Sequence, residues 1–268
     1  MALFRQQAQA EWLSLMVWSV IMAAMVFYFV ILWQSLVSSG SMAELEQITR
    51  SLPESLRGLY GGQFGLTTLT GWLQAFGFGG WLSVPFIIYT ALFVTGMITR
   101  EMDRRTAEFL LALPVARSKV VLSRFAVLVA ALAVLHLAHL AGVVAGVVAV
   151  GQGLAIRNYV VADLNSLLLM VALGGIFLVI SVFIDDYGVA VGATLGVGLG
   201  LFFFHVATEK ATGVLKALRD LLPLSFYDPV PILGQGAVPW SHMAVLAAIS
   251  VATLGLSVFF FQRKQITA

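Results

Sequence analysis

The chain contains no cysteine. That excludes disulfides and thiolate metal sites. Charge is scarce too: Asp, Glu, Lys and Arg make up 10% of the 268 residues, where a soluble domain carries roughly 25%. No Gly-x-x-x-x-Gly-Lys phosphate loop occurs, and no glycine anywhere is followed by lysine. The chain therefore does not bind ATP through such a loop, and any ATP-derived energy must come from a partner. The net charge of +2 is small, and no nucleic-acid partner is expected. What is abundant is apolar surface. Hydrophobic residues reach 60%, too many for a globule in water, so the bilayer must act as solvent.

The rare charges divide the chain. Glu11 to Glu44, Arg57 to Arg100, Arg124 to Arg157, Asp163 to Asp185, Asp186 to Glu209 and Asp228 to Arg263 each enclose a stretch without Asp, Glu, Lys or Arg. Every gap can hold the roughly 20 residues of a spanning helix. The expectation is a single all-α transmembrane domain, 1–268, with helices near 15–37, 76–98, 121–150, 164–184, 187–206 and 239–261. The first is too long for a signal-peptide core and reads as a retained anchor. Ahead of it, Phe4, Ala8 and Trp12 recur at helical spacing, which predicts a short interfacial helix over 1–14.

Six spans place both termini on one side. The loop from Arg100 to Arg124 carries Arg100, Arg104, Arg105, Arg117, Lys119 and Arg124 against Glu101, Asp103 and Glu108. Arg5, Arg263 and Lys264 fall on the same side. This basic excess beside helix ends predicts cytoplasmic termini. Two segments on the opposite side exceed simple turns. Residues 38–75 predict a helix around Ala43–Leu59, and residues 207–238 predict a helical piece at Glu209–Leu222 followed by Pro223, Pro229 and Pro231. Both are expected at the outer interface, where irregular backbone is tolerated if protein or a water-filled cavity adjoins it.

The segment after the second span reads Glu101-Met-Asp-Arg104-Arg105-Thr106-Ala-Glu108-Phe-Leu110-Leu111-Ala-Leu-Pro114-Val-Ala-Arg117. Phe109, Leu110 and Leu113 form an apolar face at helical spacing, and Pro114 ends the helix. Two physical readings stand level: docking into a groove of a soluble partner, or rest on anionic lipid. The pattern resembles that of permease subunits of ATP-binding-cassette exporters of the type-2 permease family. The match lies at Glu101, Thr106, Glu108, Leu110, Leu111, Pro114 and Arg117. It departs at Arg105, where the family usually has glycine. Leu52-Pro53-Glu54 with Gly61, and Leu222-Pro223-Leu-Ser-Phe-Tyr227-Asp228-Pro229, resemble further segments of that family.

The resemblance implies a permease that exports its substrate, does no covalent chemistry and holds no cofactor. ATP and magnesium would belong to a nucleotide-binding subunit, in two copies, docked on a coupling loop over 100–119. It also implies a second permease copy, identical or paralogous, in a prokaryotic cytoplasmic membrane.

Gly188, Gly192, Gly196 and Gly200 recur every four residues on the fifth span. Such a stripe lets another helix approach closely. It reads as a dimer seam, with packing inside the chain as the alternative. His136 and His139 share a face of the third span. Ionisable groups inside a membrane are costly and point to function. Hydrogen bonding to a neighbouring helix is expected for them, with cavity lining as the second reading. No metal site is expected, because no carboxylate lies in the same helix. His205 and His242 read as interfacial. Asp185 and Asp186 predict a tight turn, with a minor contact to the partner ATPase as the second reading, and Asp228 a backbone cap. Two rivals to the exporter reading are an ion-coupled secondary transporter and an intramembrane enzyme using the two histidines. Against both stands the expectation that no acidic residue lies at membrane depth.

Overall fold

The computed structural model describes residues 2–51, 65–103 and 116–264. Within them the chain is helical, and six helices are long and apolar enough to cross a membrane. The first, α1 (Ala2–Ser39), runs unbroken from the segment expected at the interface through the first span. A short α2 (Met42–Ser51) follows, and the remainder of the helix expected to Leu59 lies outside the described residues.

The second span is built in two pieces. Thr68 caps α3 (Leu69–Trp72), its hydroxyl accepting from the Gly71 N–H at 3.1 Å. The chain then widens into a π turn, Leu73–Gly77, before α4 (Gly80–Asp103) begins. The Phe78 N–H closes that wider ring on the Leu73 carbonyl at 2.7 Å. Gly79 permits the break, since a Cβ there would sit 2.0 Å from the Gln74 carbonyl oxygen. Such local π geometry in a helix is frequent at functional sites.

The remaining spans are α5 (Arg117–Ala149), α6 (Ile156–Phe183), α7 (Tyr187–Ala207) and α10 (Trp240–Arg263). Between α7 and α10 lie α8 (Gly213–Asp220), a 3₁₀ turn (Pro223–Phe226) and α9 (Pro229–Gln235). The Asp228 carboxylate caps α9 by accepting from the Val230 N–H at 2.9 Å, which is the capping role expected of it. α6 begins eight residues earlier than the charge gap implied. Its first two turns carry Arg157 and Asp163, which the segmentation by charge had treated as boundaries.

α6 is the centre of the bundle. It packs against α4, α5 and α10, while α1 lies along α5 and α7 lies along α4. The core joins Phe86, Ile87, Leu128, Leu132, Leu173 and Phe177, all within 2% of complete burial. At one end of the bundle, called the basic end below, side chains tie several helices together. The Arg124 guanidinium, buried, donates to the Met97 carbonyl. Lys264 donates to the Val182 carbonyl and pairs with Asp185, both at 2.6 Å. Asp186 caps α7 through the Val189 N–H at 2.7 Å. Residues 184–186 therefore form the tight turn expected of them. At the far end, Asn158 and Asn165 of α6 donate to the Leu233 and Phe226 carbonyls and hold the α8–α9 segment on the bundle.

Candidate functional site

The broken second span is the point at which the buried polar groups converge. A helix break inside a bilayer frees carbonyl groups that lipid cannot satisfy. Two of them, those of Gly77 and Phe78, are met by side chains from other elements. His139 donates its Nε2–H to the Gly77 oxygen at 2.8 Å. The Tyr227 hydroxyl donates to the Phe78 oxygen. Burial raises the Tyr227 phenol well above its ordinary range, so it remains a donor at any physiological pH.

The other side of the His139 ring faces Asp163. Nδ1 and Oδ1 are 2.8 Å apart, and both side chains are almost fully buried. With Nε2–H committed to a carbonyl, a proton must also lie between Nδ1 and the carboxylate. The expectation of no acid at membrane depth is thus corrected: Asp163 lies within the fourth span. It was missed because a carboxylate was treated as the end of a helix, whereas a partner on α5 lets it enter. His136 is held similarly. Its Nδ1–H donates to the Leu132 carbonyl at 2.8 Å, and Ser166 Oγ lies 3.3 Å from Nε2. Phe86 stacks on this ring at 4.3 Å. Both histidines are therefore bonded to neighbouring groups, the first of the expected readings. Among the described residues no three His, Asp or Glu side chains converge as a metal would require.

A cavity of about 330 Å³ opens on the far-end side of the break, lined by Gln74 of the π turn, by Gly79 of the break, by His205 of α7 and by Arg219 and Tyr227 beyond it. His205 was expected at the interface, and its Nδ1 lies 3.3 Å from Ser225 Oγ. His242 packs edge-on against Phe226 instead.

On α7 the buried residues are Ala190, Thr194, Gly198 and Phe202. Thr194 bonds Thr95 of α4 at 3.1 Å, and Gly198 is pressed against Ile87 and Phe177. The stripe of Gly188, Gly192, Gly196 and Gly200 is offset by two residues, on nearly the opposite face. It is exposed, and nothing lies within 4 Å of where a Cβ would stand on Gly192, Gly196 or Gly200. Packing inside the chain is therefore not what those glycines do among the described residues. A glycine pair spaced by four does meet another helix on α5, where Gly142 and Gly146 lie against α1. The Gly-x-x-x-Gly spacing on α5 was the available signal for it.

Of the expected docking residues, Glu101 lies in the last turn of α4, and Arg117 opens α5 with its guanidinium on the Lys264 carbonyl at 2.7 Å. Arg104, Arg105, Thr106, Glu108, Leu110, Leu111 and Pro114 lie outside the described residues.

Residues 81–266 match the family described as ABC-2 family transporter protein, which covers the last four spans whole and the α4 part of the second. The chain belongs to the ABC-2 transporter family. It is a multi-pass membrane permease, and membership implies an ATP-binding-cassette partner. No curated protein sequence matches the permease significantly. The family is a membrane component of transport and not itself catalytic.

Proposed function

We propose that this permease exports its substrate as one of a pair, driven by two nucleotide-binding subunits docked on the loop over 100–119. The observation that carries the reading is the mechanical linkage at the basic end. That loop joins α4 directly to α5. Arg124 bonds α5 to α4, Arg117 bonds α5 to the end of α10, and Lys264 bonds α10 to α6 and to the turn before α7. A displacement of the loop would thus reach five spans through short polar contacts. Binding and hydrolysis of ATP in the partner would supply the different affinities for two states that such a shift requires.

Docking is tested by replacing Glu108 and Leu110 together with Arg and Asp. The double variant should reach the membrane but lose its copurifying ATPase and transport-linked hydrolysis. Normal hydrolysis with the ATPase still attached would refute the docking assignment.

The same reading places the basic end and both termini in the cytoplasm. The permease lacks cysteine, so single cysteines at Ser51 and Ser118 report topology. An impermeant thiol reagent on intact cells should label position 51 and spare position 118. Labelling of position 118 alone would invert the arrangement. The open glycine stripe on α7 supports a second permease copy packed there.

Ion-coupled transport is the second reading, favoured by the buried His139–Asp163 pair. Transport that persists in vesicles without ATP and collapses with the proton gradient would support it against the first.

A further inference from the structure

The second span passes from one apolar cluster to another, and it breaks where it passes. Trp72, Leu73 and Phe78 belong to a far-end cluster with Val30 of α1 and Val143 of α5. Leu82, Phe86 and Ile87 of α4 belong to the larger cluster, with Leu173 and Phe177 of α6. α1, α5 and α6 also contribute to both clusters, but they cross between them as unbroken helices. Of these four spans, only the second can bend at the boundary without giving up helical hydrogen bonds.

The two sides of the break are held by different partners. On the α3 side, the Trp72 indole donates to the Phe29 carbonyl of α1 at 2.8 Å. On the α4 side, Thr95 bonds Thr194 of α7, and Ile87 lies against Gly198. α7 contributes no described residue to the far-end cluster. α4 and α7 thus form one unit rooted in the larger cluster.

Between the two sides, Gly77, Gly79 and Gly80 flank Phe78. A hinge is a few residues at element ends that absorb backbone rotation, and glycine rotates most freely. The Gln74 amide oxygen, buried in the π turn, has no hydrogen-bond partner. An unpaired buried acceptor raises the energy of this arrangement and leaves something to be gained by rearranging. Two side chains oppose that change. His139 lies edge-on to Phe78 at 5.1 Å and to Phe86 at 5.8 Å, so it touches both clusters while donating to the Gly77 carbonyl. Tyr227 donates to the Phe78 carbonyl. The cavity adjoins Gly79, Gly80 and Tyr227, so water there can replace a donor that leaves. Its walls belong to both sides of the break: Gln74 to one, Ser83, Phe202 and His205 to the other.

We infer that residues 77–80 form a hinge latched by His139 and Tyr227, about which α4 and α7 swing as one unit and change the width of the cavity. The hinge belongs to the chain itself and serves whichever partner displaces α4.

Tyr227→Phe removes one latch and keeps the ring. In lipid nanodiscs, hydrogen–deuterium exchange of the full chain should accelerate about tenfold over residues 73–83 and less than about twofold in the middle of α5 and in α10. Distances provide the second readout, since the chain has no cysteine of its own. Nitroxides on Val148→Cys of α5 and Phe203→Cys of α7, both exposed positions, should show a wider or divided distance distribution in Tyr227→Phe. Nitroxides on Val148→Cys and Trp12→Cys, on the paired helices α5 and α1, should not. Unchanged exchange and distances in a folded Tyr227→Phe variant would make the break a rigid kink and overturn the hinge. Faster exchange with an unchanged distance between positions 148 and 203 would be local fraying and would overturn the swing. Equal acceleration in all spans would mean that Tyr227 stabilises the whole bundle, and would also overturn the hinge. If Tyr227→Phe does not fold, the unaltered chain decides: residues 73–83 should exchange at least about tenfold faster than the middle of α5, and equal protection would overturn the hinge.

Discussion

Gly142 and Gly146 on α5 and the four glycines on α7 share the same four-residue spacing, yet they meet opposite surroundings. A Cβ at Gly142 would stand 2.4 Å from the Ala23 carbonyl oxygen and 2.7 Å from a Val26 methyl. At Gly146 it would stand 2.8 Å from Val30 Cβ. On α7, Gly192, Gly196 and Gly200 face open space. Lipid tails are as apolar as side chains, so helices in a bilayer associate through close packing rather than by escaping water. A stripe of missing side chains therefore makes a seam only where another backbone arrives. α1 arrives at the first stripe. The second is free to receive a helix from outside the chain.

The largest effect that would test this contrast is expected at Gly142. Gly142→Ala drives a methyl into backbone that cannot rotate away, and should cost about 3 kcal/mol. Thermal unfolding of the purified permease measures it, and an unchanged midpoint would mean α1 can slide along α5. A smaller loss, about 1–2 kcal/mol, is expected for Gly146→Ala, where the obstacle is the side chain of Val30. A loss larger than that at Gly142 would contradict the ranking of backbone over side-chain obstruction.

Gly192→Leu with Gly196→Leu should alter the fold least. The stability of the single chain should stay within about 0.5 kcal/mol, as for exposed positions away from packed features. Its effect should appear in the pair instead. With a cysteine at Val189, exposed on the same helix, crosslinked dimer normalised to folded permease should fall. An unchanged normalised yield would defeat the dimer seam. A collapse in single-chain stability would place the stripe inside the fold and erase the contrast altogether.

The membrane class and the number of spans were legible in the sequence because both follow from local composition. A run of about 20 residues without charge is costly in water and suited to lipid wherever its neighbours lie. The turn at Asp185 and Asp186 and the cap at Asp228 were legible for a similar reason, since each is made with neighbours in the chain and the Asp228 carboxylate serves an N–H two residues away. The family resemblance, too, rested on residues adjacent in the chain, at Glu101 to Arg117 and at Leu222 to Pro229.

Tertiary structure decided what depends on distant partners. Asp163 enters the fourth span because His139, on another helix, shares a hydrogen bond with it at 2.8 Å. The broken second span is tenable because His139 and Tyr227, which are 62 and 149 residues from their acceptors, meet the freed carbonyls. No local pattern encodes those pairings. The glycines give the plainest case. Spacing by four states only that a helix has a bare face, and the fold alone determines whether that face is covered by α1 or left open, because contact depends on how whole helices are arranged around α6.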